Sequence, residues 1–266
     1  MSKQLRIYYR MMRVHWAILL EYRGDTFFYM FGSFVYPLVT LAVWLAISAG
    51  GAVGGYGQRD FILYFLAVIF ISRLNGAWDA WEIEQSIREG TLSSYLLRPS
   101  AYIHWRLSEN LVYKLFYGVI MLVAWAIAWP FTDLVRISLA PEHVVTMVLS
   151  ILMAMTIRYM LYFDIALFGF WTTRMLAIIT MVESLAMFLS GRIAPYSLLP
   201  AWVRTAQDYT PFYWYLGFPV DVLTGKVTGS VVWSGLGTQA LWSVGLILAY
   251  FVLWNRGMKK YGAVGG

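Results

Sequence analysis

Residues 78–106, WDAWEIEQSIREGTLSSYLLRPSAYIHWR, are the longest polar interruption on one side of an otherwise apolar chain. Glu82, Glu84, Arg88 and Glu89 lead to Gly90, a residue that suits a helix C-terminus. Thr91 to Leu97 then mix apolar and polar residues up to Arg98-Pro99. The pattern predicts a helix end, a turn and a second short amphipathic piece entering the next apolar run. Leu92, Tyr95, Leu96 and Leu97 stand as apolar anchors among charges, a good handle for a protein partner. The alternative is an ordinary solvated connector.

Around this stretch, apolar residues run for about 20 positions without alternating, the length a helix needs to cross a bilayer core of roughly 30 Å. Of 266 residues, 60% are apolar and 13% charged. Backbone polar groups in lipid must be satisfied within each segment, and unbroken runs argue against a barrel. The chain therefore reads as a single all-α membrane domain, 1–266, with six spans at 27–49, 61–78, 111–129, 144–170, 175–190 and 231–254. Pro37 is expected to kink the first. The second is expected to continue as a helix out of the membrane to Ile87. The fifth is short for a full crossing. Residues 1–24 read as an interfacial helix against the lipid bilayer, with Leu5, Tyr8, Tyr9, Met12, Trp16 and Leu19 on one face and Lys3, Arg6, Arg10 and Arg13 on the other. A cleaved signal peptide is disfavoured, because the apolar run from Phe27 is too long for one.

Charge sets the orientation. The N-terminus, the segment 79–106, the turn 171–174 and the C-terminus carry twelve Lys and Arg, against Arg59, Arg136, Arg192, Arg204 and Lys226 on the other side. The positive-inside rule places both termini and 79–106 in the cytoplasm. The net charge of +6 then reports topology, and no nucleic acid is expected as a partner. The outer segment 191–230 is aromatic and carries Pro195, Pro200, Pro211 and Pro219, so it reads as short re-entrant or interfacial helices rather than a soluble loop.

Arg73, Lys114, Arg158, Asp164 and Glu183 fall at membrane depth, where a charge is costly and a functional candidate by default. Lys114, Asp164 and Glu183 are expected at similar depth, within reach of one another. Arg158 is expected to pair with Glu183 across helices, since it lies about 9 Å along the helix from Asp164 at 1.5 Å per residue. These charges serve either as a packing ion pair or as the site of an ion-coupled carrier or membrane-embedded enzyme. The sequence has no cysteine and only His15, His104 and His143, which fit no metal-ligand spacing. It has no G-x-x-x-x-G-K-[ST] phosphate loop, no H-E-x-x-H and no G-x-S-x-G. No catalytic residues, metal or cofactor of its own are expected.

At EGTLSSYLLRPSAY (89–102), SGRIAPYSLLPAWVR (190–204), TPFYWYLGFPVDVLTG (210–225) and the ending NRGMKKYGAVGG (255–266), the sequence resembles the ABC-2 type permeases of ATP-binding-cassette exporters. The resemblance covers nearly the whole chain. One bacterial subgroup carries a G-x-L-x-x-Y-L-L-R-P core, here Gly90 to Pro99, and more often has an acidic residue where Ser93 or Ser94 stands. The resemblance implies a transport subunit of the bacterial cytoplasmic membrane that dimerises with itself or a paralogue. Separate ATPase subunits would supply ATP and Mg. It places the ATPase-coupling contact at Glu82, Glu84, Arg88, Glu89, Gly90, Leu92, Tyr95, Leu96, Leu97, Arg98 and Pro99. It places an outer gate at Gly191, Arg192, Pro195, Pro200 and Trp202.

Overall fold

The computed structural model describes residues 3–130, 133, 137, 138 and 140–262; Arg136 of the charge balance and the last four residues of the quoted ending lie outside them. Regular structure among the described residues is helical, apart from an isolated bridge between Val53 and Tyr56. In chain order the helices are α1 (Lys3–Glu21), α2 (Arg23–Ile47), α3 (Gln58–Leu74), α4 (Asp79–Arg88), α5 (Leu92–Leu96), α6 (Tyr102–Ala128), α7 (Pro141–Leu167), α8 (Met175–Leu189), α9 (Ala201–Asp208), α10 (Pro211–Tyr215), α11 (Gly217–Leu223) and α12 (Ser230–Met258).

Local chemistry sets these boundaries. Asp60 accepts a hydrogen bond from the Gly57 amide at 3.0 Å and caps α3. Pro141 opens α7 after an extended Ala140, using the position where a missing N–H costs nothing. α2 runs through Pro37 without interruption. Gly90, at φ 76°, turns the chain between α4 and α5 in a conformation other side chains rarely adopt.

Five helical stretches are long and apolar enough to cross a membrane: Arg23–Gly50, Gln58–Arg88, Tyr102–Ala128, Pro141–Phe170 and Ser230–Met258. α8 is apolar but has only 15 residues, roughly 22 Å at 1.5 Å per residue, short of the bilayer core. The second stretch is not one continuous rod, contrary to expectation. Residues 75–78 leave the helix, and α4 restarts at Asp79. Asn75-Gly76 is a turn dipeptide, and side-chain amides stabilise the break. Asn75 donates to the Tyr215 carbonyl, and Asn110 donates to the Gly76 carbonyl at 3.0 Å and to Asp79 at 2.6 Å. The helix that carries the third run begins at Tyr102, nine residues ahead of the expected span.

α7 is the central helix, packed along its length on α12 and touching α4 near one end and α10 and α11 near the other. Of three apolar clusters among the described residues, two stack along it. One joins α3, the middle of α7, α10 and α11 through Phe61, Phe65, Ile157, Tyr215 and Val220. The other joins α4, α5 and the far end of α7 through Ile83, Leu92, Tyr162 and Phe163. Segment 191–230 inserts rather than caps. Every residue of α11 is buried, and the inserted turn is tied by Tyr64 donating to the Gly191 carbonyl at 2.7 Å and by Trp44 donating to the Ile193 carbonyl at 2.8 Å.

Candidate functional site

At the end of the bundle formed by α4 and α5, one guanidinium organises the surroundings. Arg106, buried on α6, reaches Asp79 (3.8 Å), Glu109 (2.9 Å) and Glu82. A planar guanidinium with five donors can serve several carboxylates at once, which an ammonium cannot do with the same geometry. α4 is thereby clamped to α6, and Tyr102 adds a bond to Ser86 at 3.2 Å. The clamp also holds α1, where His15 is buried edge-on to Trp105 (4.5 Å between ring centroids) and 4.0 Å from Glu109. The side of α1 that buries is Met11, His15 and Leu19, whereas Leu5, Tyr9 and Trp16 of the expected apolar face are exposed.

The candidate coupling residues divide into two sets. Glu84 is buried and pairs with Arg88 at 2.8 Å, Glu82 is held by Arg106, and Leu92 is buried in the core. These residues support the platform. Its exposed surface is Arg88, Glu89, Leu96, Leu97, Arg98 and Pro99. Leu97 is 90% exposed and Leu96 40%. Arg98 lies over the rings of Tyr95 (4.3 Å) and Trp105 (4.5 Å), which fixes its stem beside the two leucines. The turn is tied from below. Tyr261, beyond α12, donates to the Gly90 carbonyl at 2.7 Å and accepts from the Ser93 amide at 3.1 Å. No sequence periodicity announced this tie, because one tyrosine after the last helix has no pattern to belong to.

Between the two cores lies a polar layer. Arg158 pairs with Glu183 at 3.2 Å, the partner expected for it across helices, and its guanidinium lies 5.2 Å from the Tyr162 ring and 5.1 Å from the Tyr215 ring. The expected meeting of Lys114, Asp164 and Glu183 does not occur. Glu183 is taken by Arg158, and both Asp164 oxygens are buried without a hydrogen-bond partner among the described residues. Lys114 instead lies within electrostatic reach of Asp79 and Arg158. The cause is rotation about the helix axes, which depth along a span does not fix.

At the opposite end, the candidate gate residues also separate. Gly191, at φ 84°, and Pro195 are buried in the inserted turn, Arg192 is half-buried, and Pro200 and Trp202 are exposed, Trp202 by 74%. A Cβ on Gly191 would sit 2.9 Å from the Tyr64 hydroxyl and 3.2 Å from the Gly217 Cα. α9 to α11 and α12 enclose a cleft of about 480 Å³ beside this turn, lined in part by Tyr196, Tyr213, Trp214, Phe218 and Asp221.

Five apolar helical stretches long enough to cross a membrane, buried short helices at one end and a clamped polar bracket at the other define an all-α, multi-pass membrane protein. Residues 34–265 match the family described as ABC-2 family transporter protein, and the chain belongs to that family as a membrane permease component of ABC transporters. The match begins inside α2, so α1 precedes it. No curated protein matches the chain.

Proposed function

We propose that the chain is the permease subunit of an ATP-driven exporter in a bacterial cytoplasmic membrane. It would work as a dimer and take its power from separate ATPase subunits that carry ATP and Mg. Both termini and the α4–α5 bracket face the cytoplasm on this reading, as the twelve-to-five cation asymmetry supports. α8 then completes six spans as a short fifth crossing, and the inserted turn with Trp202 closes the outer end of the path.

The observation that carries the reading is the pair Leu96-Leu97, exposed on a bracket that Arg106 and Tyr261 hold still. Exposed leucines between Glu89 and Arg98 stand in a polar segment where lipid is not expected to cover them, and desolvated apolar anchors ringed by charge are what a protein interface uses. Glu84 is poor ground for a charge-reversal test, because its carboxylate supports the fold. The sharper substitution is Leu97→Asp, which leaves every packed contact of α4 in place. Expressed with its ATPase, the wild-type chain should co-purify with it in detergent. Leu97→Asp should lower recovery of the ATPase about tenfold or more, the effect of a hot spot of roughly 2 kcal/mol, while the permease keeps its own thermal midpoint. Equal recovery of the ATPase with both chains would remove α5 from the contact.

A further inference from the structure

The cleft between the inserted helices and α12 combines three features that the transport reading does not use. The first is aromatic density. Tyr196 and Tyr213 lie 4.9 Å apart by ring centroid, Tyr213 and Trp214 5.3 Å, and Trp214 and Phe218 5.3 Å. The Trp214 indole N–H is committed to the Asp208 carbonyl at 3.2 Å, which leaves its face for other contacts. The second is an under-served carboxylate. Asp221 is buried on α11, accepts from the Tyr213 hydroxyl at 2.8 Å through one oxygen, and keeps its other oxygen without a partner among the described residues. Burial pushes its carboxyl up to about 7, against the opposing pull of that hydrogen bond and of Lys226. The third is a second carboxylate at the rim, the exposed Asp208, with the Tyr196 hydroxyl 3.0 Å from both of its oxygens.

The only ammonium in the cleft wall among the described residues, Lys226, is already spent. It pairs with Asp60 at 2.6 Å and sits 4.5 Å from the centre of the Tyr56 ring. Its placement shows how this wall treats a cation, with a ring face on one side and a carboxylate on the other. Among the residues that line the cleft, Asp208 and Asp221 stand against Lys226, whose charge Asp60 takes up; beyond the lining, Arg59 acts on Asp60 and Arg204 on Tyr196.

We propose that this cleft is a binding site for a monovalent organic cation with an apolar body, such as an alkyl- or arylammonium. The cation would lie against the Trp214 and Tyr213 rings with Asp221 and Asp208 as counter-charges. Ring quadrupoles attract an ammonium most strongly where water is excluded. About 480 Å³ falls within the size range of small-molecule sites. An anion is disfavoured because the wall's ammonium is neutralised, and a neutral apolar molecule would leave the ionised Asp221 without a counter-charge. The inference concerns binding at this cleft and does not depend on the ATPase contact.

The test is a scintillation proximity assay on the full-length chain in detergent with tritiated benzyltrimethylammonium. Neopentylbenzene serves as the neutral competitor of the same shape and benzoate as the anion. Saturable binding is expected, with both competitors at least tenfold weaker than unlabelled cation. Asp221→Asn should weaken binding tenfold or more. Asp208→Asn, at an exposed position that does not risk the fold, should weaken it severalfold. Trp214→Leu should weaken the cation while leaving displacement by neopentylbenzene unchanged. Absence of saturable binding to the wild-type chain, equal displacement by the neutral competitor, or full binding by both folded Asp variants would each overturn the proposal.

Discussion

His15 shows how one side chain ties the N-terminal helix to the bundle. It is buried on α1 against α6, and burial together with the Arg106 charge pushes its pKa down to about 4. Glu109 at 4.0 Å does not reverse this, because Arg106 draws that carboxylate at 2.9 Å; Arg98 adds a further opposing charge. A histidine with a depressed folded pKa is neutral when docked and takes up a proton when released. Its contribution is therefore complete above the ordinary value of about 6.5 and drains away as pH falls toward 4, by at most about 3 kcal/mol. The thermal midpoint of the wild-type chain in detergent should fall more steeply between pH 6.5 and 4 than that of His15→Phe. Parallel slopes would mean that His15 does not titrate on release. The sequence marked His15 only as unsuited to metal binding; its role follows from the helix phase that brings Met11, His15 and Leu19 to α6.

At the scale of elements, the bracket is a short structure made firm by contacts distant in sequence. α5 has five residues, too few to hold itself as a helix in water, and it is held by Leu92 in the core and by Tyr261 bridging the Gly90 carbonyl and Ser93 amide. Tyr261→Phe keeps the ring beside Phe170 and deletes both hydrogen bonds. At roughly 1 kcal/mol of net stabilisation, amide exchange across residues 90–94 should accelerate about fivefold, with α7 and α12 unchanged. Unaltered exchange would show that the core alone holds the turn. The presence of a bracket was legible, because Gly90, Arg98-Pro99 and the polar stretch punctuate apolar runs. Its supports were not. Reading the third span from Leu111 gave Arg106, Glu109 and Asn110 no assigned partners, and reading helix through Asn75-Gly76 concealed the break that Asn110 stabilises. The aromatic, proline-rich segment before α12 was recognisable as short helices rather than a soluble loop, whereas the burial of α11 depends on α3 and α7 and on no local pattern.

For the whole molecule, the two cores and the polar layer between them decide what the intramembrane charges do. Buried Arg158 pairs with the half-buried Glu183, and its guanidinium stacks on Tyr162 and Tyr215. Removing one partner strands the other charge and costs about 3–5 kcal/mol, while replacing both with apolar residues of similar volume is close to neutral. Glu183→Gln should therefore lower the thermal midpoint, and Arg158→Met with Glu183→Leu should restore it. If transport by the assembled complex also survives the double replacement, the pair is a packing device. Loss of transport in a stable double variant would revive an ion-coupled reading. The same layer gives the break at residues 75–78 a mechanical meaning. A rigid rod would transmit only push and tilt along its own axis. A joint held by amides instead lets the two helices pack on different neighbours, α3 on α2 and α11 and α4 on α7 and α8. Asn110 holds the joint to α6, and Asn75 holds it to the carbonyl that ends α10, so the joint ties the clamp beneath the bracket to the inserted helices. The joint is short, and its pins are two asparagines.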